Sequence, residues 1–306
     1  MFKHILSRVI RAVITLVLLV SFIFIAMHYA PGDPVTTMLG AGAGPEKIKA
    51  MKHKYGLDKP LAYQYVDLWQ RMIRADFGIS WKTGTNVSQR LFRSIKYTLM
   101  LASTAMVIAT AIGILAGIVS ATKRDKLFDA TTRSITLVGI SLPTFVLGLG
   151  LMYIFAYVVD WFPSSGATSL KSLVLPAITL SLWVAGSLTR LVRSAMLDVL
   201  NEDYITGARA KGFSERFVVY KVALKNAGVT ILTVLGLQFG LLLGGSVITE
   251  VVFSWPGLGQ LMVEGVKSRD TPVVQGCVLF FAGGFIVVNL LVDFIYSYID
   301  PRIRYQ

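Results

Sequence analysis

Charged residues are scarce. Asp, Glu, Lys and Arg make up 15% of the 306 residues, against roughly 25% in an ordinary globular domain. Too little polar surface remains to face water on every side, which argues against a soluble globular enzyme. Cysteine is scarcer still. The single Cys277 excludes an intrachain disulfide and any cysteine-rich metal site. The three histidines, His4, His28 and His53, are scattered, with no HExxH and no zinc-ligand spacing. No nucleophile has a base at a useful spacing, so no catalytic residue, metal ligand or cofactor is assigned. There is no GxxxxGK[ST] either, so the chain has no P-loop with which to bind ATP.

What the chain has in abundance is apolar sequence. Hydrophobic residues reach 54% and cluster into runs near the 20 or so residues needed to cross about 30 Å of hydrocarbon. The pattern predicts an all-α polytopic membrane protein with about six spans: Val9–His28, Thr98–Ala121, Ile135–Val159, Leu173–Val192, Val229–Val252 and Gln275–Ile299. Lys3, Arg8 and Arg11 precede the first run as in a signal peptide. The run to Met27 is long for an h-region and lacks a terminal A-x-A site, so it reads as a retained helix. The expected organisation is a tail and first span over 1–28, an extracytoplasmic segment over 29–97, and a five-helix domain over 98–306.

The net charge of +13 is distributed by loop. Lys123, Arg124, Lys126 and Arg133 lie between spans two and three. Arg190, Arg193, Arg209, Lys211, Arg216, Lys221 and Lys225 follow span four, and Arg302 and Arg304 close the chain. The short alternate loops hold only Lys171, or Lys267 and Arg269. This asymmetry places both termini in the cytoplasm and removes the need for a nucleic-acid partner. The segment 29–97 is also basic, but long translocated segments escape the rule. Helical spacing of apolar residues recurs there over Pro45 to Gly56 and Leu61 to Arg74.

Small residues recur every four positions in two spans: Ala105, Ala109, Gly113 and Gly117 in the second, and Gly236, Gly240 and Gly244 in the fifth. Such a series stays on one helix face and admits a neighbouring backbone closely, so both predict helix-packing seams. No span carries a charge near its centre; Glu250 and Asp293 sit towards span ends. An ion-coupled carrier usually needs an ionisable group at mid-depth, which weakens that reading and implies that energy enters from elsewhere.

The most informative segment is 193–228. Asn201 suits an N-cap, Glu202 and Asp203 suit the first turn of a helix, and Tyr204 to Lys211 reads as a short helix ended by Gly212 in a left-handed cap. Ser214 suits the cap of a second helix running to about Lys225. A solvated connector is the simple alternative. Small Ala208 and Ala210 beside Tyr204 and Phe213 instead suit docking into another protein's groove.

Asn201-Glu202-Asp203-Tyr204-Ile205-Thr206-Gly207-Ala208-Arg209-Ala210-Lys211-Gly212 resembles the EAA loop of bacterial ABC importer permeases, and most of all the peptide/nickel branch. Further blocks agree. They are Pro31-Gly32-Asp33-Pro34, Tyr55-Gly56-Leu57-Asp58-Lys59-Pro60-Leu61, Asp76-Phe77-Gly78, Phe253-Ser254-Trp255-Pro256-Gly257-Leu258-Gly259, Arg269-Asp270 and Asp300-Pro301-Arg302-Ile303-Arg304-Tyr305. The wider family's Glu-Ala-Ala stands here as Thr206-Gly207-Ala208. Gly228 and Thr230 fall where many relatives have Leu and Pro entering span five, so the bend there is expected to be weaker.

The resemblance implies a permease subunit in the bacterial inner membrane that imports peptides, with nickel or glutathione as alternatives. It implies a second homologous permease subunit, two ATPase subunits and an extracytoplasmic solute-binding protein. Glu202, Asp203, Tyr204, Ala208, Arg209, Ala210, Lys211 and Gly212 would couple to an ATPase. An ion-coupled secondary carrier is the alternative of a different class.

Overall fold

The apolar runs fold into helices wherever their length permits, since a chain in lipid must satisfy its backbone polar groups within the segment. The computed structural model describes residues 2–29, 32–40 and 42–299. Pro31 and the closing block Asp300 to Tyr305, with Arg302 and Arg304, lie outside the described residues. Among the described residues, five helices, or six counting one broken pair, are long and apolar enough to cross a membrane. The chain groups into two compact units, Met1–Thr98 with Pro256–Gly283 and Leu99–Trp255 with Gly284–Gln306.

In the first unit, α1 (Phe2–Tyr29) contains the first apolar run. Three short helices follow: α2 (Pro34–Leu39), α3 (Pro45–Lys54) and α4 (Leu61–Ile73). The last two match the helical spacing read over 45–56 and 61–74. Asp33 caps α2 by accepting the Val35 N–H at 2.9 Å, and it pairs with Lys52. The next helix, α5 (Val87–Thr122), begins in this unit and runs into the second. A helix absent from the sequence reading, α12 (Leu258–Ser268), follows Trp255-Pro256-Gly257 and leads to α13 (Thr271–Ile299). Val87, Leu91, Leu258, Leu261, Val273 and Cys277 form the buried core here. A Cβ on Gly276 would lie 2.6 Å from Leu91 Cδ1, so that glycine sets the helix approach.

The Arg269-Asp270 block organises the same unit. Asp270 is buried and accepts hydrogen bonds from the Ser80 hydroxyl and from the Trp81 and Lys82 amides. Arg269, in a left-handed conformation, donates to the Gly32 carbonyl at 3.1 Å. Arg269 thus ties the segment after α1, and Asp270 the segment before α5, to the approach to α13, through contacts 237 and 190 positions apart.

In the second unit, α5 continues to Thr122, and α6 (Leu127–Ser141) is followed by α7 (Thr144–Met152), which runs on as a π turn over Tyr153–Val158. The span expected over Ile135–Val159 is instead the pair Leu127–Ser141 and Thr144–Val158, bent by 100°. Pro143 causes the break. It lacks an amide hydrogen, and it disfavours α geometry at the residue before it. Leu142 accordingly takes φ −78° and ψ 128°, and Pro143 starts α7 as its N-cap.

A 3₁₀ turn at Leu170–Leu173 opens α8 (Val174–Leu200), the most buried of the spans. Pro176 lies in the first turn of α8, where a missing N–H costs nothing. The chain then passes through α9 (Asp203–Ala210), a single α turn α10 (Glu215–Phe217) and a π turn at Val218–Ala223 into α11 (Leu224–Val252). The second loop helix therefore does not stop near Lys225. It continues unbroken into the fifth span, through Gly228, and the irregular turn falls at 218–223 instead. Glu250, in the last turn of α11, is buried and accepts from Ser246 at 3.1 Å.

Candidate functional site

The segment between α8 and α11 is built around one inward-facing side chain. Ile205 is fully buried in a cluster with Ile118 and Ala121 of α5, Val192 and Met196 of α8, Val218 and Val219 of the π turn, and Ala223, Ala227 and Ile231 towards α11. Ala208, three positions on, packs on the same cluster. The period of the helix puts residues i and i+3 on one face, so α9 lies against the ends of three long helices by its Ile205–Ala208 face. A force applied to α9 would therefore be delivered into packed side chains.

The opposite face is open. Glu202, Asp203, Tyr204, Gly207, Arg209, Ala210 and Lys211 are exposed, and a Cβ on Gly207 would meet nothing within 4 Å. Asp203 stands in the first turn, where the helix dipole favours an acid. Partial burial pushes the Tyr204 phenol pKa above its ordinary value, and the Glu202 carboxylate adds to this. Two expectations are corrected. Asn201 is the C-cap of α8, with α-like backbone, and Glu202 is the extended N-cap residue of α9, without a side-chain cap. Ala208 lies partly buried on the inner face instead of the open one.

Gly212 has φ +81° and ends α9 as a Schellman turn. Its N–H reaches the Arg209 carbonyl at 2.9 Å, and the Phe213 N–H reaches the Ala208 carbonyl at 3.4 Å. Ser214 caps the next turn by accepting the Phe217 N–H at 3.4 Å. Arg209 Nε donates to Glu215 Oε1 at 2.7 Å, tying the two helices across the turn. Phe213 and Phe217 stack with centroids 4.8 Å apart. With Tyr220 they follow an i, i+4, i+7 row, and all three are exposed. The i, i+4, i+7 spacing is the sequence signal for Phe217 and Tyr220, which the helix–Gly–helix reading alone does not single out. Exposed aromatic side chains are the usual anchors of protein contacts.

The glycine series meet specific neighbours. A Cβ on Gly113 would lie 2.6 Å from Leu188 Cβ, and one on Gly117 would lie 2.6 Å from Val192 Cβ. So α5 and α8 approach at a distance that admits no side chain. On α11, a Cβ at Gly236 would overlap Val292, and one at Gly240 would lie 3.1 Å from the Phe285 ring. Gly244 departs from the series, since nothing lies within 4 Å of its Cβ position.

One pair escaped the sequence reading altogether. Asp129, in the first turn of α6, is fully buried, and Arg193 of α8 grips it with Nε to Oδ1 at 2.7 Å and Nη2 to Oδ2 at 2.8 Å. The Ser120 hydroxyl of α5 donates to Oδ1, and the Asp125 amide donates to Oδ2. Three helices are thus joined beside the α9 segment.

Comparison with known proteins agrees with this architecture. Residues 113–305 match the family described as "Binding-protein-dependent transport system inner membrane component", and residues 1–102 match its N-terminal counterpart. The chain is 40% identical over 306 residues to the glutathione transport system permease protein GsiC of Escherichia coli (strain K12), covering 100% of both chains. The GsiC proteins of Shigella flexneri serotype 5b (strain 8401) and Salmonella typhi stand at the same identity and coverage. Among solved structures, an inward-facing form of the MetNI methionine ABC transporter has a similar fold. Its TM-score is 0.61 at 20% identity, over 69% of this chain and 97% of that one. An amino acid ABC transporter gives 0.53 at 18% identity, over 70% and 94%. The reading as an ion-coupled carrier therefore gives way, and the chain belongs to the family of binding-protein-dependent inner-membrane permeases of ABC importers.

Proposed function

We propose that this permease imports small peptides, with glutathione as the leading candidate, and that ATP hydrolysis on separate subunits drives it through α9. The observation that carries the coupling role is the two-sided character of α9, locked to α5, α8 and α11 by Ile205 and open along Tyr204, Gly207 and Ala210. A lever needs both a rigid attachment and a free face. The assembly implied by the family is two homologous permease subunits, two ATPase subunits and a soluble solute-binding protein. Both termini and α9 would face the cytoplasm, in keeping with the basic loops. The open residues Glu202, Asp203, Tyr204, Gly207, Ala210 and Lys211 would then contact the ATPase. Ala208 and Gly212 would hold the geometry of that face, and Arg209 would brace it through Glu215.

Full-length identity of 40% to permeases named for glutathione transport supports glutathione over nickel. Selectivity in a binding-protein-dependent system also depends on the soluble protein, a different chain. The test is uptake of radiolabelled glutathione in cells deleted for this gene and complemented with it. Unlabelled dipeptides, oligopeptides and a nickel chelate serve as competitors. Competition by glutathione alone supports the specific reading, competition by peptides supports a broader one, and uptake of nickel without either contradicts both.

A further inference from the structure

Beside the Asp129–Arg193 pair lies a cavity of about 340 Å³, lined by Arg133, Thr136 and Leu137 of α6 and by Arg190 and Arg193 of α8. Three guanidinium groups meet there; the Asp129 carboxylate is in contact with them, and the Asp125 carboxylate, paired with Arg124, acts on Arg193 from farther off. Asp129 takes Arg193 in a two-point grip, and Arg133 reaches it only at 3.6 Å. Arg190 has no acidic partner among the described residues and is exposed. The lining therefore carries more arginines than the carboxylates in contact with them can balance. The same helix α6 also presents Ile135, Leu137 and Val138, which are 72%, 61% and 58% exposed. Guanidinium groups above an apolar strip are the complement of a phosphate joined to acyl chains.

We propose that this cavity binds the phosphate of an anionic phospholipid, at the end of the bundle from which α9 projects. Arg190 and Arg133 hold the phosphate oxygens. Arg193 is already oriented by Asp129 and faces the phosphate as a fixed charge, while Leu137 and its neighbours meet the acyl chain. Basic pockets between membrane helices are a general device for headgroup recognition, and Arg suits a phosphate because its planar fork offers paired donors. Occupancy would fix the α6–α8 approach just before α8 delivers the chain to α9. The site stands independently of the transported solute.

The full-length chain purified in detergent would be titrated with dioleoyl phosphatidylglycerol and, separately, dioleoyl phosphatidylcholine, with bound lipid counted by native mass spectrometry. The expected result is at least a tenfold preference for phosphatidylglycerol. Arg190→Gln and Arg133→Gln should each weaken it about fivefold while leaving phosphatidylcholine binding unchanged. Lys123→Gln, outside the cavity, should have little effect. Both exposed arginines can be replaced without breaking the Asp129–Arg193 grip, and elution as a single species checks that each variant is folded. Equal binding of the two lipids, or an undiminished preference in both arginine variants, would overturn the proposal. Displacement of phosphatidylglycerol by 10 mM (about a thousandfold excess) inorganic phosphate would overturn the lipid as occupant in favour of a free anion.

Discussion

Arg193 grips the buried carboxylate of Asp129 through two parallel hydrogen bonds of 2.7 and 2.8 Å, across 64 positions of sequence. Removing one partner of a buried pair strands the other charge, at a cost of about 3–5 kcal/mol. Because Arg193 retains some solvent contact, the lower end of that range applies. Asp129→Ala should therefore lower the melting temperature of the purified chain by roughly 5 °C or more. Asp129→Leu combined with Arg193→Met should recover most of the loss, since it leaves no orphaned charge. Thermal unfolding in detergent compares the two directly.

The glycine seams predict a graded response. Gly117→Val and Gly236→Val should cut the folded yield sharply. The new Cβ of the first falls 2.6 Å from Val192 Cβ, and that of the second falls onto Val292. Overpacking of this kind costs about 1–3 kcal/mol or more. Gly244→Ala should be tolerated, because its Cβ enters open space. Monodisperse yield after gel filtration separates the three. Equal loss at Gly244 would mean that the series acts through helix flexibility and not through contact.

Cysteine labelling in intact cells tests the topology. Cys277, the only cysteine of the sequence, is buried, and its replacement by Ser clears the background. In that variant, Cys placed at Ser165 or Ser268 should react with an impermeant maleimide from outside. Cys at Ser214 should react only after permeabilisation. Labelling of Ser214→Cys in intact cells would invert the assignment and remove α9 from the cytoplasm.

The glycine spacing in the sequence pointed to the close approaches at Gly113, Gly117, Gly236 and Gly240, but not to the open space at Gly244. The apolar runs were legible in the sequence because their length depends only on local geometry. The left-handed turn at Gly212 was legible for the same reason, since few other residues adopt φ +81° without strain. The misreadings arose where distant packing decides. Asn201 has the chemistry of an N-cap, but α8 extends to Leu200 and takes Asn201 as its end. Ala208 turns inward, not to the open face, because the phase of α9 is set by Ile205 entering a core drawn from α5, α8 and α11. The bend at Pro143 was hidden inside an apolar run whose hydropathy does not register a missing amide. The Asp129–Arg193 grip joins two residues that a topology count reads only as ordinary loop charges.

The central claim is that the open face of α9 couples ATP hydrolysis to transport. Ala208→Glu would be an ambiguous probe, because Ala208 packs on the inner cluster and the change could act through stability. Gly207 offers a cleaner one, with nothing within 4 Å of its Cβ position. Gly207→Glu should leave membrane level and melting temperature near wild type, since exposed positions shift stability by about 1 kcal/mol or less. The decisive measurement is co-purification of the ATPase subunits with this variant, alongside solute uptake at matched membrane level. The account predicts loss of ATPase association, or hydrolysis uncoupled from uptake. Normal association and normal uptake by Gly207→Glu would contradict it and reduce α9 to a connector.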